Sequence, residues 1–473
     1  MLGHIACSML GHIACSMPGR ITVWHIGETI KNMNREVKLQ MGRILNVEYS
    51  AIQGSYWMIY GVICSFASVF LLNKGYSNSE IGIILAAANV LSVVIQPLVA
   101  DFADRSKKLS LVSLLEIMTV IMMIMTAGLF AFEKKTLALA VIFVLLTAWH
   151  TTLQPLISSL CFKLQETGNN VSFGIGRSMG SFFYAVLVAF LGNFVEKKGI
   201  DVLPISAEIV MAMLLISVIM TGKHFGKAKE MHEVALTRDL RNMGKAGAVE
   251  GTESAGLGES TLEGVENAGI SESAGQAKSE PEEINLAEFI RRNKMFFVLN
   301  LGVLGIYFSN AVLNFFTMQI VAGVGCNSAD LGGVMSVMAF LEIPPMIFFG
   351  LLRKKFSCET MLKFSGLMFT VKIGAIGMAR SVGLIYAAQF LQPFSFALFL
   401  PAMVNFINEI MSPGEAVKGQ ALYTMMITVT SVLASVIGGV ILDLYSPKVL
   451  TMVATAVTFA GALIVIGCVD KVG

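Results

Sequence analysis

The sequence predicts an all-α membrane protein with twelve spanning helices, arranged as two six-helix halves. Three observations predict it. The first is composition: 55% of the 473 residues are apolar and only 14% charged, with a mean hydropathy of +0.72. Soluble domains carry about 25% charged residues. A chain this long and this poor in charge cannot clothe itself in polar side chains, so a lipid bilayer must be its outer solvent. The second is a series of apolar runs of membrane-crossing length, and the third is a long polar interval that divides them six and six.

About 20 consecutive apolar residues cross the hydrocarbon as a helix. In the first half such runs fall at 53–73, 79–100, 109–131, 136–160, 172–193 and 202–221. They resume at 295–322, 328–351, 359–379, 381–408, 417–443 and 447–469. The expected organisation is a disordered tail over 1–52, a first bundle over 53–221, a linker over 222–290 and a second bundle over 291–473. The linker begins basic, with Lys223, Lys227, Lys229, Arg238, Arg241 and Lys245. It continues as Gly, Ser, Ala and Glu with near-repeats such as Glu253-Ser-Ala-Gly256 and Glu272-Ser-Ala-Gly275. So few apolar groups cannot offset the entropy of ordering, and a disordered connection is expected there.

The halves echo each other. Asn78-Ser79-Glu80-Ile81-Gly82 opens span 2, and Ser328-Ala329-Asp330-Leu331-Gly332 opens span 8. Each of these spans ends in a cationic turn, Asp104-Arg105-Ser106-Lys107-Lys108 and Arg353-Lys354-Lys355. Lys and Arg are retained on the cytoplasmic side. With both termini placed there, the cytoplasmic segments hold 24 of them and the outer loops 7, and the bias survives at 14 to 7 without the linker. A multi-pass plasma-membrane protein with both termini inside is expected.

The first 16 residues repeat MLGHIACS twice. His4, Cys7, His12 and Cys15 there read either as a metal-binding tag or, more simply, as a tail or mistranslated stretch, with Met33 or Met41 a more natural start. The seven cysteines include no CxxC pair, and most fall singly in apolar runs, as small buried residues do. No metal and no cofactor is expected. A net charge of +2 gives no case for a nucleic-acid partner. The chain contains no GxxxxGK[ST] and no HExxH, and its GxSxG match, Gly176-Arg-Ser-Met-Gly180, lies inside an apolar run rather than at a strand-to-helix turn, so neither an ATP-driven pump nor a membrane hydrolase is supported, and the chain is not read as an enzyme.

Two six-helix halves, a central linker and repeated basic turns after spans 2 and 8 resemble the major facilitator superfamily. Its usual turn, Gly-x-x-x-Asp-Arg-x-Gly-Arg-Lys, reads here Ala100-Asp101-Phe102-Ala103-Asp104-Arg105-Ser106-Lys107-Lys108: the Asp-Arg core is kept and both glycines are lost. Within the superfamily the chain is similar to the branch of lactose permease, nucleoside–proton symporters and phenylpropionate permease. The likeness rests on Gly75-Tyr-Ser-Asn-Ser-Glu-Ile-Gly82, Gln96-Pro97, Phe173-Gly-Ile-Gly-Arg-Ser-Met-Gly180 and Gly419-Gln-Ala-Leu-Tyr423. The resemblance implies alternating access about a site at the midplane and a monomeric carrier in the lipid bilayer. It implies a cytoplasmic gate at Asp104, Arg105, Lys354 and Lys355, for which a plain positive-inside anchor is the competing reading. It also sets Arg177 at the sugar-binding arginine of lactose permease and Tyr184 at its stacking aromatic. Ser159 stands where that family member has its sugar-binding carboxylate, which argues against galactosides. The absence of proline from span 5 departs from the antiporter pattern and favours uptake.

Polar groups inside the apolar runs are the candidate site. A charge near the bilayer centre costs at least about 2.5–3.5 kcal/mol, so it needs a partner or a wet cavity. Glu342 sits mid-span in Phe340-Leu-Glu-Ile-Pro-Pro345, where two prolines free backbone carbonyls, and it is the expected proton carrier. His150 and Gln154 share a face of span 4, as Arg177 and Tyr184 share one of span 5. Asn310 and Asn314 on span 7, with Gln389 and Gln392 on span 10, are expected to line the second half. Interhelix hydrogen bonding is the competing reading for each. Glu116 and Lys372, on spans peripheral in this superfamily, are set aside. The leading functional expectation is proton-coupled import of a small polar or anionic organic solute such as a sugar, nucleoside or aromatic acid. Export of drugs or metabolites, and a non-transporting membrane sensor, remain open.

Overall fold

A computed structural model describes residues 21–106, 109–250 and 286–472. The tandem repeat at 1–16 and most of the Gly/Ser/Glu linker lie outside the described residues. Twelve helical rods are present among them. In the first half these are α1 (Ile21–Tyr60, continued past a π turn at Gly61–Ser65 by Ala67–Asn73), α2 (Asn78–Arg105), α3 (Leu111–Gly128), α4 (Leu137–Glu166), α5 (Phe173–Lys198) and α6 (Val202–Glu250). After a short helix, Leu286–Arg292, come α7 (Lys294–Ala322), α8 (Ser328–Arg353), α9 (Cys358–Gly377), α10 (Val382–Gln389 and Phe396–Ile410, joined by a 3-10 turn), α11 (Pro413–Leu444) and α12 (Pro447–Cys468). By length and apolarity ten of the rods pass as membrane spans, and α1, bent by 41° at its π turn, makes eleven. The remaining rod, α9, carries Glu359, Lys363 and Lys372 within its 20 residues.

Two expectations need correction. The first helix begins at Ile21, far ahead of position 53. Among its described side chains, 36–40 are exposed and Leu45, Glu48 and Tyr49 are buried, because those positions recur at helical spacing against the rest of the bundle. The basic start of the linker is also not coil: α6 runs unbroken through it to Glu250. Lys, Ala, Met, Glu and Leu dominate that stretch, and they are strong helix formers.

The internal repeat is visible in the turns. Gly75 and Gly325 both take positive φ, 95° and 82°, each two residues before a helix N-cap and in a region that favours glycine. Ser77 and Glu80 then form a capping box on α2, and Asn327 and Asp330 form one on α8. Reciprocal side-chain bonds of this kind satisfy the orphan N–H groups of a first turn.

The halves join where these two helices start. Glycines permit the approach: a Cβ on Gly82 of α2 would strike the Ser435 carbonyl of α11, and one on Gly439 the Asn78 carbonyl. The same relation holds between Gly192 of α5 and the Ser328 carbonyl, and between Gly332 of α8 and the Val188 carbonyl. Each crossing is closed by a carboxylate from the opposite half. Asp443 accepts from the backbone N–H of Asn78 and Ser79 at 2.9 and 2.7 Å. Glu196 accepts from the backbone N–H of Ser328 at 2.9 Å and from its hydroxyl. A carboxylate at a helix N-terminus is favoured by both the free N–H groups and the helix dipole. Gln319 adds a bond to Asn78 at 2.9 Å.

The linker end is built differently. One apolar core runs through the first half and into the far part of the second, including Phe308, Phe316, Leu331 and Ala434. The linker-end core of the second half, around Phe296, Tyr307, Phe399 and Phe406, is a separate cluster with no residue of the first half. Among the described residues no ion pair joins the halves. The two bundles therefore meet at the far end and part at the linker end.

The paired caps make a prediction. Removing one helix N-cap costs about 1 kcal/mol, and about 1.4 kcal/mol is tenfold in an equilibrium. The double substitution Asp443→Ala with Glu196→Ala should raise maleimide labelling of a cysteine placed at buried Ser435 by about tenfold or more, in a background lacking the seven native cysteines. Unchanged labelling would show that the caps do not hold this end closed.

Candidate functional site

The centre of the molecule is organised by aromatic rings seated on the glycines of α5. Tyr49 of α1 packs on Gly176, and Trp57 on Gly180. Tyr184 lies against Gly61 in the π turn of α1. Trp57, Tyr60 and Tyr184 form a run of rings, with centroids 5.4 Å apart for the first pair and 6.3 Å for the second. Arg177 stacks on Trp57, its guanidinium carbon 4.0 Å from the ring centroid. Its Nη1 donates to Ser181 Oγ at 2.9 Å. The indole N–H of Trp57 is buried without a partner among the described residues.

Other first-half candidates are more engaged with the protein. His150 is fully buried. It stacks on Tyr56 with centroids 4.4 Å apart and planes within 7°, and its Nε2–H donates to the Tyr56 carbonyl at 3.1 Å. That leaves Nδ1 as an acceptor with no partner. Gln154, one turn along α4, is half-buried, and its Oε1 also lacks a partner. The Tyr184 hydroxyl shares a hydrogen bond of 2.8 Å with Ser65.

The second half contributes a chain of three polar groups. Gln392, in the 3-10 turn that breaks α10, donates from Nε2 to Glu342 Oε1 at 2.6 Å. Its Oε1 accepts from Lys372 Nζ. Lys372 is only 2% exposed, so this cation, set aside on sequence grounds, belongs to the centre. Its signal was in the chain: a lone lysine deep in an apolar run must find a partner. Glu342 precedes Pro344 and Pro345, which remove the backbone donors to the Phe340 and Leu341 carbonyls. It also faces the other half. Helices α5 and α8 run antiparallel, Phe182 meets Phe340 at 5.8 Å, and Glu342 is thereby level with the first turns of α5. Arg177 is its electrostatic neighbour there, as Lys372 is on its own side.

Gln389 is buried one turn before Gln392 with an unpartnered Oε1. Asn310 and Asn314 are half-buried on α7, and neither makes a side-chain hydrogen bond among the described residues. The helix departs from helical geometry two residues later, at Phe316. Tyr307 and Tyr423, which the sequence did not single out as a pair, join hydroxyls at 2.7 Å between α7 and α11.

Among the described side chains, the expected cytoplasmic gate residues are not brought together. Asp104 stands in the last turn of α2, and its side chain is outside the described residues. Arg105 pairs with Asp101 of its own helix at 2.6 Å. Lys354 and Lys355 are exposed, while their neighbour Arg353 binds Asn405 at 2.9 Å and Glu409 of α10. All these contacts stay within one half.

Comparison with known proteins fits this architecture. The nucleoside transporter NupG superposes with a TM-score of 0.66, covering 90% of this chain and 98% of that one at 12% identity. The POT family transporter PepTSo gives 0.58, with 92% and 97% coverage at 9% identity. These likenesses show the fold. A protein of Deinococcus radiodurans named as a sugar efflux transporter is 24% identical over 145 residues, which is 31% of this chain and 37% of that relative. The family model described as "MFS_1 like family" matches residues 49–453, most of the chain, and the chain therefore belongs to the MFS_1-like family of membrane transporters.

Proposed function

We propose that the protein is a secondary active transporter that imports a small polar or anionic organic solute together with a proton, by alternating access. The observation that carries this reading is the combination of a latched far end, halves that part at the linker end, and a half-buried charged and aromatic centre between them. A solute held at Arg177, Trp57 and Tyr184 from one half, and near Glu342 and Gln392 from the other, would be released when the latches and the linker-end surfaces exchange roles. His150, Gln154 and Gln389 offer unpartnered polar atoms around this centre, and Asn310 and Asn314 lie beside the kink of α7. Asp104, Arg105, Lys354 and Lys355 are the groups available to pair across the linker end in the alternate form.

Glu342 is the proposed proton carrier, because it is the carboxyl at the junction of the halves and sits between two cations. The asymmetry of Lys and Arg supports a linker and termini on the cytoplasmic side of a plasma membrane, so the form described is the inward-facing one. The carrier is read as a monomer. Export is the second reading, and the observation favouring it is the resemblance of part of the chain to a protein named for sugar efflux.

Two measurements test this. In proteoliposomes with an alkaline lumen, labelled uridine, galactose and phenylacetate should be screened for accumulation. With one proton per solute, a gradient of one pH unit supports about tenfold accumulation, since 1.4 kcal/mol is tenfold. Accumulation only when the gradient is reversed would make the protein an exporter. In the Glu342→Gln variant, solute counterflow should persist while uphill accumulation falls to the level of the medium. Retained uphill transport would remove Glu342 from the coupling role.

A further inference from the structure

Three charged side chains lie at the junction of the halves, Arg177, Lys372 and Glu342. Two are already matched. The Gln392 amide bridges them, its carbonyl oxygen facing the Lys372 ammonium and its N–H the Glu342 carboxylate. An amide set this way satisfies a cation at one end and an anion at the other, so Lys372, Gln392 and Glu342 form one neutral unit within the second half. All three members come from different helices of that half, and Lys372 has no other side-chain acceptor among the described residues.

Arg177 is then the unmatched charge. It makes no salt bridge among the described residues, and its one side-chain hydrogen bond goes to a neutral hydroxyl. A guanidinium has five N–H donors, and the face of this one rests on Trp57. The Trp57 indole N–H is a second, buried donor without an acceptor beside it. Both have room for an acceptor, and Glu342, the carboxylate across the junction, is engaged by Gln392 instead. The other titratable groups facing Glu342 are tyrosines, Tyr60, Tyr184 and Tyr307, which supply no anion at neutral pH.

We propose that the transported solute is an organic monoanion, a carboxylate on a flat apolar body, bound by Arg177 and the Trp57 N–H, and that Lys372 enforces this choice by holding Glu342 away from Arg177. A carboxylate matches a guanidinium with two parallel hydrogen bonds, and the Trp57, Tyr60 and Tyr184 rings accept a planar body. Lys372 is thus a specificity-determining residue that never touches the solute. Without it, Glu342 would be the nearest anion for Arg177 and would occupy the site from within. The proposal deepens the transport reading above and rests on the solute site named there.

The test uses thermal shift of the purified full chain with benzoate, indole-3-acetate and cinnamate, each against its neutral amide. At least one carboxylate should raise Tm where its amide does not, and Arg177→Gln should abolish the response. Lys372→Met should weaken the apparent affinity for that carboxylate by tenfold or more, and Lys372→Arg should keep it. The decisive variant is Lys372→Met with Glu342→Gln, which removes the matched pair together and should restore carboxylate binding. A purely structural lysine would show no such rescue. Equal stabilisation by acids and amides, silence from all three acids, or a double variant as weak as Lys372→Met would overturn the proposal. The transport reading fails separately: a carboxylate that binds through Arg177 but is never accumulated in proteoliposomes refutes transport alone, and accumulation of uncharged uridine or galactose alone refutes the anion alone.

Discussion

Hydrocarbon offers neither water nor counter-ions, so every backbone group and every charge of a membrane-spanning chain must be satisfied by the chain itself or by what it carries. That constraint accounts for the twelve rods, whose hydrogen bonds close internally. It accounts equally for the centre. Lys372 is buried because Gln392 and Glu342 answer it, and Gln392 can answer both because α10 is broken at that point and presents its side chain between α8 and α9. Arg177 escapes full isolation through the Trp57 ring, and keeps donors in reserve.

The same constraint shapes the junction of the two halves. Apolar side chains cannot by themselves hold bundles together in lipid, where tails are as apolar as leucine. The halves instead approach backbone to backbone through Gly82, Gly439, Gly192 and Gly332. The approach places the starts of α2 and α8 under carboxylates from the opposite half. Because the chain is an internal repeat, one solution serves twice: α2 meets α11 as α8 meets α5. Such contacts are short, polar and confined to one end, so they can be broken without unpacking either bundle.

Aromatic rings connect this mechanical frame to the chemistry. The small residues of α5, Gly176 and Gly180, accept Tyr49 and Trp57 of α1. The Trp57 ring in turn positions Arg177. A larger residue at either glycine would displace a ring and move the guanidinium with it. The geometry of the polar centre therefore depends on backbone-level packing as much as on the polar groups themselves.

Composition, the period and length of the apolar runs, and the repeated capping motifs Asn78–Gly82 and Ser328–Gly332 determined the fold, because hydropathy over a full span is a local property of the chain. Glu342, Arg177 and the Gln389–Gln392 pair stood out for the same reason: a charge or a polar pair is conspicuous against twenty apolar neighbours. Only the tertiary structure decided which charges are partners. Lys372 looked peripheral by its place in the order of spans, and the bridge to Glu342 through a glutamine 20 residues away along the chain depends on three helices meeting. The trans caps from Asp443 and Glu196 were equally hidden, since a carboxylate near a helix end reads as a loop residue until the opposite half supplies the N–H groups. The helical start of the linker was misread because its polar composition describes solvation, and backbone propensity with an unbroken run-on from α6 determined its structure.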